Sequence, residues 1–332
     1  MYGGALVLDA HMDTPLRMVD EGVDIGARLA DGHADLVRLE EGGVDAVFMA
    51  AWIDPAIPAG RRMERAERLL QAIRTAATAY PDRAALPTDA DGVRRAAATG
   101  RIALLAGVEN AEALDGDIAN ADRLQALGAR YLTLTWMNSN VFADAAGGER
   151  LHGGLSDLGR RLVDRLNELG VLVDLSHASV ETFEDVLDRS ARPPIVSHSA
   201  TEALGGHPRN LSDPQLRALA ERDGVVGVNF FPGYLAPKSG ACDWTAIVDH
   251  LERAIQVAGP SHVALGSDLD GIPRLPDGFA GAQDFPRIAA ELERRGITGA
   301  DLAAVLGGNW LRVLEDLDRP AGMHLFPGTG VD

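Results

Sequence analysis

Along this chain, short unbroken runs of Val, Leu, Ile and Ala alternate with longer segments in which apolar residues recur every three or four positions. The first pattern predicts strands of a parallel sheet covered on both faces, and the second predicts amphipathic helices lying against it. Eight strand-like runs can be placed: Ala5–Asp9, Val44–Ala50, Ile102–Val108, Tyr131–Thr135, Val171–Leu175, Pro194–Ser197, Val225–Phe230 and Val263–Gly266. The clearest helix lies at Leu155–Leu169, where Leu155, Leu158, Leu162, Leu166 and Leu169 share a face and Asp157, Arg160, Arg161 and Asp164 lie off it. Further helical patterns cover Arg61–Tyr80, Ile118–Leu127, Val180–Asp188, Asp213–Arg222, Thr245–Ala258, Asp284–Arg295 and Asn309–Leu317. Thr88–Gly100 and Ile272–Gly281 read instead as loops or lids.

An open doubly wound sheet would show the same alternation. The polar residues that end the runs favour closure: His11, Glu109, His177, His198 and Asp268 all lie at or just beyond C-terminal strand ends. In a (β/α)8 barrel those ends meet at one mouth, whereas the outer strands of an open sheet end too far apart. The pattern predicts a single-domain α/β protein, a (β/α)8 TIM-type barrel over residues 1–318, with a surface tail over 319–332.

Composition narrows the partners. The hydrophobic content of 46% is ample for one large core, and the net charge of −18 argues against a nucleic-acid partner, which needs clustered Lys and Arg. No apolar run approaches the ~20 residues of a membrane span. The chain opens with a strand-like run rather than a signal-peptide pattern, so a cytoplasmic location with no membrane partner is the expectation. With Cys242 as the single cysteine, any metal must be held by nitrogen and oxygen.

Candidate ligands of that type are present. On an extended segment His11 and Asp13 point to the same side as a chelating pair, the alternative being a strand-end His beside a turn-forming Asp. Glu109 ends a very apolar strand, where a carboxylate is costly to bury unless a cation lies nearby; the alternative is a helix N-cap. His177 and His198 each follow a serine at a strand end, and either alone is compatible with a structural role. Asp268 and Asp270 lie in Gly266-Ser-Asp-Leu-Asp-Gly271, whose alternative reading is a turn. Three imidazoles and three carboxylates exceed the needs of one ion. Two ions about 3.5–4 Å apart, bridged by a carboxylate and a hydroxide, would suit amide or ester hydrolysis.

Taken in order from Asp9 to about Glu315, the motifs resemble the membrane (renal) dipeptidase family of binuclear zinc peptidases, an amidohydrolase-type barrel. They are Asp9-Ala-His11-Met-Asp13-Thr-Pro, Gly107-Val-Glu109, Tyr131-Leu-Thr-Leu-Thr135, Gly154-Leu-Ser-Asp-Leu-Gly159, Val173-Asp-Leu-Ser-His177, Ser197-His198-Ser199, His207-Pro-Arg209-Asn210, Gly266-Ser-Asp268-Leu-Asp270-Gly271 and Gly307-Gly-Asn309. The resemblance implies two Zn2+ per chain, one held by His11 and Asp13, the other by His177 and His198, with Glu109 and a hydroxide as bridges. Asp268 would help hold the first ion and shuttle a proton from nucleophile to leaving amine. Arg209 would receive the free carboxylate of a dipeptide, its alternative role being a capping or surface arginine. The family also implies tolerance of a D-residue on the carboxyl side and a homodimer.

One position departs from the family. Trp136 stands where the better-known dipeptidases carry a histidine that contacts the developing oxyanion. An indole N–H donates one hydrogen bond but carries no charge. Asn138 and Asn140 are the nearby candidates for replacement donors, and His152 is expected to be solvent-exposed. The expected function is hydrolysis of dipeptides, with Trp136 contacting an apolar or aromatic substrate side chain. The alternatives are a specialised amidohydrolase acting on an N-acyl amino acid or a Cys-Gly-type conjugate, and a catalytically silent metal-binding barrel.

Overall fold

The computed structural model describes residues 4–237 and 241–317; the tail expected at 319–332 lies outside the described residues. Among the described residues nine parallel strands form one sheet: β1 (Leu8–Met12), β2 (Ala46–Trp52), β3 (Ala84–Ala85), β4 (Ile102–Glu109), β5 (Ala129–Thr133), β6 (Leu172–Asp174), β7 (Ile195–Ser199), β8 (Val225–Val228) and β9 (Val263–Leu265). Their order is β2-β1-β9-β8-β7-β6-β5-β4-β3, and a further pairing of β2 with β4 closes eight of them into a barrel. The two-residue β3 flanks the start of β4 and was not legible as a strand. Each of the eight predicted runs overlaps one barrel strand.

The barrel interior is its own core. Leu8, Ala10, Ala46, Phe48, Ala103, Leu105, Tyr131, Leu172, Ile195, Val225 and Ala264 fill it. Alternate residues such as Val7, Val47, Leu104, Val173 and Val196 pack against the outer helices. Glycines set the spacing where strands or rings come closest: a Cβ on Gly107 would lie 2.0 Å from the Tyr131 ring, and one on Gly266 would lie 1.9 Å from the Ser197 carbonyl oxygen.

The N-terminal end of the barrel is closed by two helices, and here one expectation is corrected. Thr88–Gly100 is not a loop or lid over the ligand-bearing face; it contains the helix Ala90–Ala98, N-capped by the Asp89 side chain. Its Ala90, Val93 and Ala96 pack with Trp310, Val313 and Leu314 of the helix Asn309–Leu317 under the barrel. Gly92 lies within this short helix, and Pro87, Thr88, Asp89 and Gly100 surround it, so the turn-forming residues read as a loop. Ile272–Gly281 does lie at the mouth, where Ile272 and Pro273 border the cavity described below.

The Gly307-Gly-Asn309 motif proves architectural. A Cβ on Gly307 would lie 2.5 Å from the Leu6 carbonyl oxygen, so the chain can pass this close to β1 only as glycine. The Asn309 amide donates to the carbonyls of Pro260 and Val263 at 2.7 and 2.8 Å, and the Trp310 indole donates to that of Leu265 at 2.9 Å. Because Gly107 makes room for the ring of Tyr131, Gly107→Ala is expected to cost about 1–3 kcal/mol by overpacking. The check is a fall in urea midpoint at unchanged denaturant dependence; an unchanged midpoint would show that the ring has slack.

Candidate metal centre and active site

Six of the expected ligands or partners converge at the C-terminal mouth, and two of them arrive there by a break in strand register. Leu8 and Ala10 face the barrel interior while Met12 packs outside, because the β1–β2 pairing shifts between Asp9 and Met12. Such a bulge re-aims a side chain, and here it turns His11 inward. A second shift between Val196 and Ser199 does the same for His198, so that the two imidazoles pack with centroids 3.8 Å apart and planes tilted by 39°. Beyond β9 the chain keeps pairing with β1: the Asp268 amide donates to the His11 carbonyl at 2.9 Å, and the Asp13 amide to that of Leu269 at 2.8 Å. That pairing sets Asp268 beside His11 and Asp13. His177 and Asp268 both sit in the left-handed region, at φ 66° and 64°, a conformation that costs a non-glycine residue on the order of 1–3 kcal/mol and is characteristic of functional sites.

Glu109 is the hub. Its Oε2 lies 3.5 Å from His11 Nε2, and its Oε1 lies 3.0 Å from His177 Nε2 and 3.5 Å from His198 Nε2. His11 Nε2 is also 3.4 Å from Asp13 Oδ2. Burial opposes ionisation of Glu109, but its contacts with the three imidazoles outweigh it and hold the carboxyl well below the ordinary range. Burial also opposes a charged His11, yet Asp13 and Glu109 raise its pKa well above normal. Burial and the Arg209 charge push His177 down to about 4. Burial, reinforced by the Asp13 charge, raises Asp268.

These residues fit a divalent metal. One ligand atom each from His11, Glu109 and His198 lies within 4.8 Å of the others, as does one each from His11, Asp13 and Asp268. His11 Nε2, Asp13 Oδ1 and His177 Nδ1 are buried with no hydrogen-bond partner among the described residues. Nitrogen and carboxylate donors of this kind suit zinc. The mouth opens into a cavity of about 310 Å3 lined by Asp13, Glu109, His177, His198 and Asp268, with Trp52, Trp136, Met137, Phe231 and Tyr234 forming much of its wall. A larger groove of about 770 Å3, bordered by Met18, Val23, Gln71 and Tyr80 on the outside of the barrel, holds none of these ligands.

A sequence signature described as Membrane dipeptidase (Peptidase family M19) matches residues 3–322. The chain belongs to the membrane dipeptidase family. It is similar to an uncharacterized dipeptidase of Schizosaccharomyces pombe, 32% identical with 92% of this chain and 80% of the relative covered. It is also similar to the dipeptidase verJ of Clonostachys rogersoniana, 32% identical over 94% of this chain and 84% of that one. Among solved structures, a metallopeptidase from Rhodobacter sphaeroides, liganded with a phosphinate mimic of the dipeptide L-Ala-D-Ala, superposes with a TM-score of 0.87 at 28% identity, covering 94% of this chain and 99% of that one. The chain is therefore a metallo-dipeptidase by family, and no helix among the described residues is long and apolar enough to cross a membrane.

The remaining expectations divide. Trp136 borders the cavity, in edge contact with Trp52 at 5.0 Å and 6.4 Å from His177. Asn138 and Asn140, the expected replacement donors, do not border it. The Asn140 amide donates to the Leu134 carbonyl at 2.9 Å and its oxygen accepts from Phe142 and Ala143, so both ends are committed to holding the loop. Asn138 donates only to its neighbour Ser139 at 3.3 Å. His152 is exposed as expected, with Nε2 2.9 Å from the Asn140 carbonyl. Asp270 ties the mouth together, accepting from Thr14 Oγ1 and the His33 amide at 2.7 Å each.

Arg209 is buried and lines an adjoining cavity of about 280 Å3 rather than the ligand-bearing one. Its Nη1 donates to the His198 carbonyl, and its guanidinium packs 5.1 Å from the ring centre of Tyr234, which borders the ligand cavity. Its Nε and Nη2 are buried with no partner among the described residues.

Several supporting residues were not singled out by pattern. Asn229 donates to Asp268 Oδ2 at 2.8 Å while its own oxygen accepts the Phe231 amide, which leaves the amide one orientation. Tyr131 places its hydroxyl 2.9 Å from His11 Nδ1. Neither contact has a local signal, since each joins residues far apart in sequence.

Burial raises the pKa of Asp268, and Asp13 and Glu109 raise that of His11, so in the metal-free protein both groups keep their protons to higher pH than ordinary side chains and must release them to bind a cation. Zn2+ affinity is therefore expected to fall as pH falls, by about tenfold per pH unit for each proton displaced. Chelator competition between pH 8 and pH 6 measures this; a pH-independent affinity would mean that neither group is a ligand.

Proposed function

We propose that this chain is a zinc dipeptidase that cleaves dipeptides bearing a free C-terminal carboxylate, with tolerance for a D-residue on the carboxyl side. The observation that carries this reading is the buried Arg209 guanidinium beside the His177–His198 pair, with two nitrogens that have no partner among the described residues. An unpaired buried cation is expensive. A substrate carboxylate would satisfy it in a bidentate pair that also measures substrate length. The L-Ala-D-Ala mimic bound by the Rhodobacter sphaeroides metallopeptidase supports both the substrate class and the stereochemistry.

His11 and Asp13 would hold one Zn2+ and His177 and His198 a second, with Glu109 between them and Asp268 beside the first. Such ions, when bound, polarise the scissile carbonyl and make water nucleophilic at neutral pH. Asp268, oriented by Asn229, accepts a proton from the attacking water and returns it to the leaving amine. Trp52 and Trp136 shape an apolar wall that selects an apolar or aromatic substrate side chain in place of the family's histidine contact. That same wall favours an N-acyl amino acid as the second reading, because such a substrate keeps the carboxylate and replaces the ammonium by an apolar acyl group.

Release of amino acids from a panel of L-L and L-D dipeptides by the zinc-loaded protein tests the reading, with Asp268→Asn as the blank. Release that disappears in the blank is expected; cleavage confined to N-acyl substrates would favour the second reading. Arg209→Ala is expected to lower kcat/KM by about 10²-fold or more on free-carboxylate dipeptides, since it deletes a charge-assisted pair worth up to several kcal/mol. It should leave amidated ones nearly unchanged, and equal losses on both would remove Arg209 from substrate binding. Trp136→His is expected to raise turnover of small dipeptides by about 10-fold or more, because a donor to the oxyanion is typically worth about 10²–10³. A drop instead would show that Trp136 has become indispensable to the pocket.

A further inference from the structure

Beneath the ligand imidazoles lies a fully buried polar cluster that the proposed chemistry does not use. Asp174, at the end of β6, accepts only: Oδ1 takes the Ser176 amide at 3.1 Å, the Ser176 hydroxyl at 3.0 Å and the Ser197 amide at 2.8 Å. Its Oδ2 takes the Thr133 hydroxyl and, at 2.6 Å, the Ser197 hydroxyl. Ser197 has one hydroxyl proton, and an ionised carboxylate can only accept, so that proton points to Asp174. The lone pairs of the same oxygen face His198 Nδ1 at 2.8 Å and His11 Nδ1 at 3.4 Å. A neutral His198 can then only donate from Nδ1, and the same oxygen favours Nδ1–H on His11, so the form of each ring that is ready for metal presents a bare Nε2 on the side of Glu109. The two rings belong to different halves of the ligand set.

We propose that Ser197, held by Asp174, is a positioning residue shared by His11 and His198, so that one buried hydroxyl sets the imidazole tautomers of both ion sites. The two imidazoles differ in backup. His11 Nδ1 also meets the Tyr131 hydroxyl at 2.9 Å, whereas among the described residues His198 Nδ1 meets only Ser197. Deleting the Ser197 hydroxyl therefore weakens both ions, the His198 ion more. Deleting the Tyr131 hydroxyl weakens the His11 ion alone. Asp174→Asn acts more severely. Its NH2 cannot face the two main-chain amides at the Oδ1 side, which are fixed donors, so it must face the hydroxyls. Ser197 would then accept from the new amide and donate to His198, moving the imidazole proton onto Nε2.

This rests on the two-ion reading above, and the test separates the two. Stepwise Zn2+ affinities of the full chain are measured by chelator competition for the parent, Ser197→Ala, Tyr131→Phe and Asp174→Asn. Two binding steps in the parent are the precondition, and a single step there would overturn the two-ion reading and this inference with it. With two steps, Ser197→Ala is expected to weaken both, the larger loss being about 10–100-fold, as for other partners of ligand histidines, and Tyr131→Phe only one. A shift of one step or none in Ser197→Ala would overturn the shared role. Imidazole nitrogen NMR of the metal-free protein gives a readout that a merely structural role would not move: Nδ1–H with a bare Nε2 on His198 in the parent, and the proton moved to Nε2 in Asp174→Asn. An unchanged His198 signature in that variant would also overturn the proposal. If the buried asparagine prevents folding, the Ser197→Ala titration decides alone.

Discussion

A carboxylate buried at the end of an apolar strand is the constraint around which this molecule is arranged. Every residue of β4 is buried, and at its end Glu109 must be met by positive charge or by strong donors. Three imidazoles from three other strands meet it, but Asp13 and Asp268 are drawn into the same mouth, so the local balance remains negative until a cation arrives. Burial and mutual repulsion therefore raise the pKa of Asp13 and Asp268 while Glu109 is held down. The barrel is the scaffold that forces this convergence, because it gathers strand ends that an open sheet would separate.

Holding the ligands against that repulsion requires support of two kinds. His11 and His198 are braced by hydrogen bonds from below, through Tyr131, Ser197 and Asp174. His177 has no such brace on Nδ1 among the described residues and is instead presented by a left-handed backbone position. Asp268 combines both devices, with a left-handed backbone and a side chain oriented by Asn229.

The pocket above is built on different terms. The loop that carries Trp136 and Met137 is organised by Asp144, whose carboxylate accepts main-chain N–H groups from Leu151, His152, Gly153 and Gly154. Burial alone would raise the pKa of Asp144, but those four amides hold it below its ordinary value. A charged hub inside the loop lets its outer surface be apolar, and the contrast between an aromatic wall and an acidic floor is what the cavity offers a substrate. Asn140 belongs to the same scaffold, its side chain bonded to the main chain of Leu134 and Phe142.

Alternation of apolar runs and helical stripes was enough to place the eight barrel strands and most helices, because burial on both faces of a parallel strand writes itself into consecutive residues. The helix Ala90–Ala98 escaped, since Gly92 within it and the turn-forming residues Pro87, Thr88, Asp89 and Gly100 around it read as a loop. The ligand types were equally legible: a histidine or carboxylate closing an apolar run is locally conspicuous, and the family motifs place His11, Asp13, Glu109, His177, His198 and Asp268 in order. Which way they point was not. Simple alternation would have turned His198 away from Ile195 and out of the barrel, and only the register shifts in β1 and β7 bring it and His11 together. The partners Tyr131, Ser197, Asp174 and Asn229 were likewise invisible as partners, because hydrogen bonds between strands depend on register and closure, quantities that no local stretch of residues carries.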